Sequence, residues 1–226
     1  MISLAGPARA VAALLVVLGV GAASAQAPAR SQGTDPDVAA GTTAFEAARY
    51  PEAYARFKKA AERNVALGQF NLAVMLIEGR GVGRDVEQGL AWLRKAADAG
   101  LARAQYSLGV FYDRGELVPK STTDATTWFA KAAEQGWRDA QVSLATQFFL
   151  GRGAPKDLKQ AAKWYERAAE QGDEGAAYII ASMYEHGDGV AEDLRLALYW
   201  YSQAAALGDR TADFKAREVL KRLRPD

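Results

Sequence analysis

Residues 137–172 read WRDAQVSLATQFFLGRGAPKDLKQAAKWYERAAEQG, and the same pattern occupies residues 65–100, 101–136 and 173–208 without insertion or deletion. Trp92, Trp128, Trp164 and Trp200 mark it, 36 residues apart. A fixed period of this length signals a repeat architecture, in which each unit buries its apolar face against its neighbours. The eighth position of each copy is Leu72, Leu108, Leu144 or Ile180, followed by the small Ala73, Gly109, Ala145 or Ala181. Four residues after the eighth position come Leu76, Tyr112, Phe148 and Tyr184, a helical spacing. Each first helix is expected to stop at Gly79, Gly115, Gly151 or Gly187, where left-handed backbone ends a helix.

A second helix then opens at Asp85, Ser121, Asp157 or Asp193, good N-caps. Gln88, Asp124 and Gln160 follow three residues on in an approximation to a capping box. This helix carries the tryptophan, an apolar partner (Leu93, Phe129, Tyr165 or Tyr201) and an Ala-Ala pair that permits close helix approach. It ends at Gly100, Gly136, Gly172 or Gly208.

Taken together, as in Ala140-Gln141, Leu144-Ala145, Phe148, Gly151, Gly153-Ala154, Asp157, Ala161, Trp164-Tyr165, Ala168-Ala169 and Gly172, the pattern resembles the Sel-1-like repeat, a relative of the tetratricopeptide repeat. The resemblance implies an all-α fold, a right-handed α-solenoid of antiparallel helix pairs. The second copy departs from it with Leu117 in place of the second glycine and Pro119 nearby, so its inter-helix loop is expected to take another shape. Residues 41–64, with Tyr50-Pro51 between two helical patterns, read as a shortened N-terminal capping pair, and 209–226 as a C-terminal capping helix. In that last helix Phe214, Val219, Leu220 and Leu223 alternate with Lys215, Arg217, Lys221, Arg222 and Arg224, which reads as a solvated outer face.

The first 25 residues have a different character: Arg9, an apolar run from Val11 to Val20, then Ala23-Ser24-Ala25. This is the pattern of a cleaved secretory signal, too short for a membrane span. Residues 26–40, rich in Ala, Pro, Ser, Gly and Asp, read as a flexible leader without assigned structure. Export implies a periplasmic protein with no integral span after cleavage. Removing residues 1–25 takes away one basic residue and leaves 27 Lys and Arg against 27 Asp and Glu, which excludes a nucleic-acid footprint. With no cysteine, thiol catalysis and cysteine-ligated zinc are excluded as well.

Chemistry finds no carrier in the sequence. His186, the one histidine, sits between Glu185 and Asp188 near a helix end, where the dipole favours it; a lone imidazole makes a poor metal site. No serine has a lysine three residues downstream, so the hydrolase activity proposed for some Sel-1-like proteins does not carry over. No catalytic residue, cofactor or metal ligand is assigned. The repeat tryptophans read as core, since each falls beside the alanine pair where packing needs bulk.

The first helices hold the functional hint. With the eighth position at the core, the third, sixth, tenth and thirteenth fall on the opposite face. There the chain reads Leu67, Phe70, Val74 and Ile77, then Arg103, Tyr106, Val110 and Asp113, then Asp139, Val142, Thr146 and Phe149, then Gly175, Tyr178, Ser182 and Glu185, apolar towards the N-terminal end and more polar towards the C-terminal end; the candidate partner contacts among them are Phe70, Val74, Ile77, Tyr106, Val110, Val142, Thr146, Phe149, Tyr178 and Ser182. A helix apolar on two faces is either buried on both or lines a groove that meets a partner. By resemblance to tetratricopeptide arrays this is the concave face, expected to hold a segment of another protein. Its competing reading is that superhelical curvature packs these side chains against one another. The expected role is a periplasmic adaptor or regulator; the alternative is a cell-envelope enzyme or a carbohydrate- or peptidoglycan-binding protein.

Overall fold

The computed structural model describes residues 35–224, and among them forms eleven α-helices and no strand. The expected signal peptide and residues 26–34 of the leader lie outside the described residues. Two compact units divide the chain at Ser121/Thr122.

The first unit holds α1 (Pro36–Glu46), α2 (Tyr50–Glu62), α3 (Ala66–Glu78), α4 (Val86–Asp98) and α5 (Ala102–Arg114). Helix α1 begins inside the segment read as leader. Asp35 supplies an N-cap that accepts from the Asp37 and Val38 amides, and Pro36 fits the first turn, where its missing N–H is no loss. Arg63, at the end of α2, grips the Asp35 and Asp37 carboxylates at 2.8–3.0 Å, and Arg56 reaches Asp37 at 3.1 Å. Those hydrogen bonds hold both carboxyls below the ordinary aspartate range. Beneath them Ala44, Ala53, Phe57, Ala61, Leu72, Met75 and Leu76 form a core cluster that joins the capping pair to the first repeat.

The second unit holds α6 (Thr122–Glu134), α7 (Arg138–Leu150), α8 (Leu158–Glu170), α9 (Glu174–His186), α10 (Leu194–Leu207) and α11 (Arg210–Leu223). In both units the eighth-position side chains Leu72, Leu108, Leu144 and Ile180 are at most 1% exposed. Burying each contributes about 1.5–3 kcal/mol. The alanine pairs 60/61, 96/97, 132/133 and 168/169 are buried too.

The inter-helix loop has one conformation in all four repeats. Gly79, Gly115, Gly151 and Gly187 are left-handed, each donating to the carbonyl four residues back. The amides of Asp85, Ser121, Asp157 and Asp193 then donate to the carbonyls of Leu76, Tyr112, Phe148 and Tyr184 at 2.9–3.0 Å. This corrects the capping-box expectation. Asp85 and Asp157 do accept from the third amide of their helices, but their own N–H groups are taken by backbone carbonyls rather than by Gln88 or Gln160. Leu117 likewise departs from expectation: it adopts φ 62°, close to Gly81, Gly153 and Gly189 at 70–75°, and its loop keeps the common shape.

The second glycine answers a close approach as well as a positive φ. A Cβ on Gly153 would collide with the Thr122 carbonyl at the start of α6, and one on Gly189 with the Leu158 carbonyl at the start of α8. Gly153→Ala should therefore lower stability by about 1–3 kcal/mol. Leu117→Gly relieves a left-handed leucine, worth about 1–2 kcal/mol, and raises the entropy of the unfolded chain, which offsets about 0.5–1 kcal/mol. Urea titration should show the first variant clearly destabilised and the second within about 1 kcal/mol of the parent. Equal losses would mean that the Gly153 contact is not what fixes the loop.

Trp164 and Trp200 are buried, whereas Trp92 and Trp128 keep one edge in solvent beneath a lysine. Trp164→Ala should lower stability by about 3–5 kcal/mol through the cavity it leaves. A shift of the unfolding midpoint equivalent to less than about 1 kcal/mol would remove Trp164 from the core.

Candidate functional site

The inner face of the first helices differs between the units. Helix α3 is buried nearly all round from Ala66 to Ile77, its polar Gln69 and Asn71 included. Phe70, Val74 and Ile77 are at most 2% exposed, so these expected groove residues have no surface to offer a partner. The Arg103 guanidinium lies 5.8 Å from the centre of the Phe70 ring, and Ile77 packs on the backbone of Gly89. Burial also pulls the Arg103 pKa down. On α5, Tyr106 and Val110 are half-buried.

In the second unit Val142, Thr146 and Phe149 on α7, and Tyr178 and Ser182 on α9, are all half-buried. Outer-helix tyrosines support them from below. The Tyr165 hydroxyl meets that of Thr146 at 2.9 Å, and the Phe149 ring stands edge-on to Tyr165 at 6.4 Å. Burial raises the Tyr165 pKa, with the Thr146 bond opposing. Tyr178 stands edge-on to Tyr201 at 5.3 Å, and Tyr201 donates to the Glu185 carboxylate at 2.8 Å. Burial, then Glu185, pushes the Tyr201 pKa well above the ordinary phenol value. Tyr184 donates to Glu166 at 3.0 Å, and burial together with that carboxylate pushes it up to about 12. The Tyr184 and Tyr201 hydroxyls stay protonated at every physiological pH and donate to their carboxylates.

Two features of this face escaped the sequence reading. Glu185 is buried and ties the last helix down: Arg222 donates to it at 2.8 Å and Lys215 stands 3.9 Å away. Two of the basic residues read as a solvated face are thus committed to an internal carboxylate. Its presence at the thirteenth position, where the first and third repeats place Ile77 and Phe149 and the second places Asp113, was the available signal. Phe214 is 60% exposed. It lies 36 residues beyond Tyr178, at the sixth position of the repeat register continued from Asp209, and so continues the inner stripe rather than the core.

His186 Nδ1 lies 2.8 Å from the Ser182 carbonyl, one turn back in its own helix. No group of three or more His, Cys, Asp or Glu able to hold a metal occurs among the described residues. Glu78, whose pKa burial raises, pairs with Arg80 at 2.6 Å, and the Arg80 guanidinium also lies over Phe45 and Tyr50. That arrangement fastens the first loop to the capping pair. A surface pocket of about 360 Å³ between α2 and α4 is lined by Tyr54, Lys58, Trp92 and Lys95 among others. The Lys95 ammonium sits 4.1 Å from the centre of the Trp92 ring, on the face where a sugar would stack. No helix among the described residues is long and apolar enough to cross a membrane.

The Sel1 repeat family pattern matches residues 66–101, 102–137, 138–173 and 175–209. Among solved structures, a protective antigen of uropathogenic Escherichia coli with an SLR fold is 32% identical over 82% of this chain, with a TM-score of 0.76. The match spans 41% of that antigen's length, so this chain corresponds to less than half of it. A Sel1 repeat protein from Oxalobacter formigenes is 31% identical over 79% of this chain and 73% of its own, with a TM-score of 0.73. No protein of curated function matches. Sel1 repeat proteins generally mediate protein–protein interaction, and the fold is typically a scaffold rather than an enzyme. Four contiguous repeats, the all-α solenoid fold and these two neighbours establish that the chain belongs to the Sel1 repeat family.

Proposed function

We propose that this chain is a periplasmic adaptor or regulator that binds a segment of another protein on the inner faces of its first helices. The observation that carries the reading is Phe214. A phenylalanine left 60% exposed, in register with Val142 and Tyr178, leaves an aromatic stripe in the second unit that packing has not consumed. Thr146 and Ser182 add polar groups between the apolar ones, and Tyr106 and Val110 form the corresponding surface in the first unit. The rigid tyrosines beneath restrict rotamers before a partner arrives, which reduces the ordering cost of association.

Phe214→Ala separates binding from folding, because so exposed a ring contributes little to the core. It should weaken partner affinity by about 2 kcal/mol, and Tyr178→Ala by a similar amount. Lys163→Ala, on the outer surface, should change affinity little. Protein captured from the envelope is quantified against each variant, with the unfolding midpoint measured on the same samples. Equal capture by folded Phe214→Ala and Tyr178→Ala would remove the inner stripe from the interface.

Export rests on the Ala23-Ser24-Ala25 pattern. The periplasmic fraction should yield a mature chain beginning at Gln26, read by intact mass and N-terminal sequencing. Recovery of a chain retaining Met1 would overturn the periplasmic assignment.

A further inference from the structure

The surface pocket between α2 and α4 differs in charge from what the repeat register places at the same positions further along the chain. Lys58 enters it from α2, and Gln88 and Lys95 from α4. One period on, those three positions read Arg94, Asp124 and Lys131; then Ala130, Gln160 and Arg167; then Glu166, Leu196 and Gln203. The second set mixes an acid with its cations, the third holds one cation and the fourth an acid alone. Only the first combines two cations with no acid, and no carboxylate is among the described residues that line its volume of about 360 Å³.

Its walls are held by the core. Tyr54 and Trp92 are partly buried against the cluster that contains Phe57 and Leu72, and the buried Leu72 itself lines the pocket. Lys95 stands 4.1 Å from the centre of the Trp92 ring, a contact that steadies its stem while leaving its charge unneutralised and its N–H donors free to turn outward. Lys58 has Glu62 at 4.0 Å, the outer limit of an ion pair, with the two side chains 53% and 55% exposed; such a contact is worth little in water. A ligand for this pocket is therefore an anion. The Lys95 ammonium occupies the indole face on which a sugar would stack, and it repels a cation. Across the chain 28 Lys and Arg stand against 27 Asp and Glu, too even a balance to hold nucleic acid.

We propose that this pocket docks a glutamate side chain of a partner polypeptide, with its carboxylate at Lys58 and Lys95 and its methylenes against Tyr54 and Trp92. Opposite charge selects the side chain and the aromatic walls take its apolar stem. Lys58, Gln88 and Lys95 are exposed, so a free small acid would keep much of its surface in water, whereas good small-molecule sites bury most of their ligand. An acidic side chain carried by a polypeptide brings flanking residues that add contact beyond the pocket. This surface lies on α2 and α4, apart from the inner stripe, so its loss and that of the stripe are measured independently.

The indole N–H resonance of Trp92, identified by its loss in Trp92→Phe, reads binding in the 15N-labelled protein. The peptide acetyl-Ala-Glu-Ala-Glu-Ala-amide should shift it at low salt with a dissociation constant on the order of 1 mM, and the same peptide with glutamines should not. The double variant Lys58→Gln/Lys95→Gln should weaken binding by at least ~5-fold with an unchanged melting temperature, since both side chains are exposed. Lys58→Arg/Lys95→Arg should retain most of it. Lys131→Gln, which removes the cation over Trp128, should leave it as in the parent. No shift at ~10 mM peptide overturns the proposal. So does an equal shift by the glutamine peptide, a double glutamine variant that binds as the parent does, or an equal loss in Lys131→Gln. Glutarate binding as tightly as the peptide would overturn the polypeptide partner and make this a site for a free dicarboxylic acid.

Discussion

One backbone hydrogen bond organises each repeat: the amide at the outer helix's N-cap donates to a carbonyl nine residues earlier, in the last turn of the inner helix. Helix ends leave such groups without intrahelical partners, and here one bond satisfies a group from each of two helices. Being made between main-chain atoms, it fixes the hairpin whatever side chains surround it. The second repeat keeps the bond through Leu117 and Pro119, and with it the loop shape. Side-chain chemistry enters only where the loop crosses the preceding outer helix, and there Gly153 and Gly189 are held to glycine by a carbonyl.

That division explains what was legible in the sequence. Helices, stops and N-caps repeat at the same positions, and four copies in register pointed to the fold. Three things did not follow from period alone. Periodicity says which residues share a face, not how much of that face is covered, so Phe70 and Val142 looked equivalent although one is buried and the other half-open. Burial of Phe70 depends on the apolar residues that surround it on every side of α3, a three-dimensional quantity. The start of α1 was missed because composition argued for a leader, while Asp35 and Pro36 supplied a cap whose partner Arg63 lies far along the chain. The burial of Glu185 was not legible because its partners, Tyr201 and Arg222, sit on two later helices.

The outer-helix tyrosines show how the second unit keeps a polar side chain beneath an inner face. Tyr165 and Tyr201 stand at the position held in the first unit by Leu93. Each passes its ring through the helix pair and places a hydroxyl under the inner stripe, against Thr146 or Glu185. A buried carboxylate without such donors would be strongly destabilising. With Tyr201 and Arg222 in place, Glu185 instead specifies where α11 lies, and α11 brings Phe214 to the stripe. A buried carboxylate on the inner face thus sets the position of the exposed aromatic ring.

Since the backbone of every repeat is the same, each copy is a control for the others. A side chain that differs from its three equivalents is explained either by a neighbour inside the fold or by something outside it. Glu185 departs from Ile77 and Phe149, though not from the acidic Asp113, and belongs to the first kind, matched by Tyr201, Arg222 and Lys215. Leu196, Tyr199 and Leu207 differ from their equivalents in the same sense and remain exposed. The hydration of Lys95, Lys131 and Arg167 keeps the earlier outer helices in water; removing the charge while adding apolar area leaves α10 with surface that water solvates poorly.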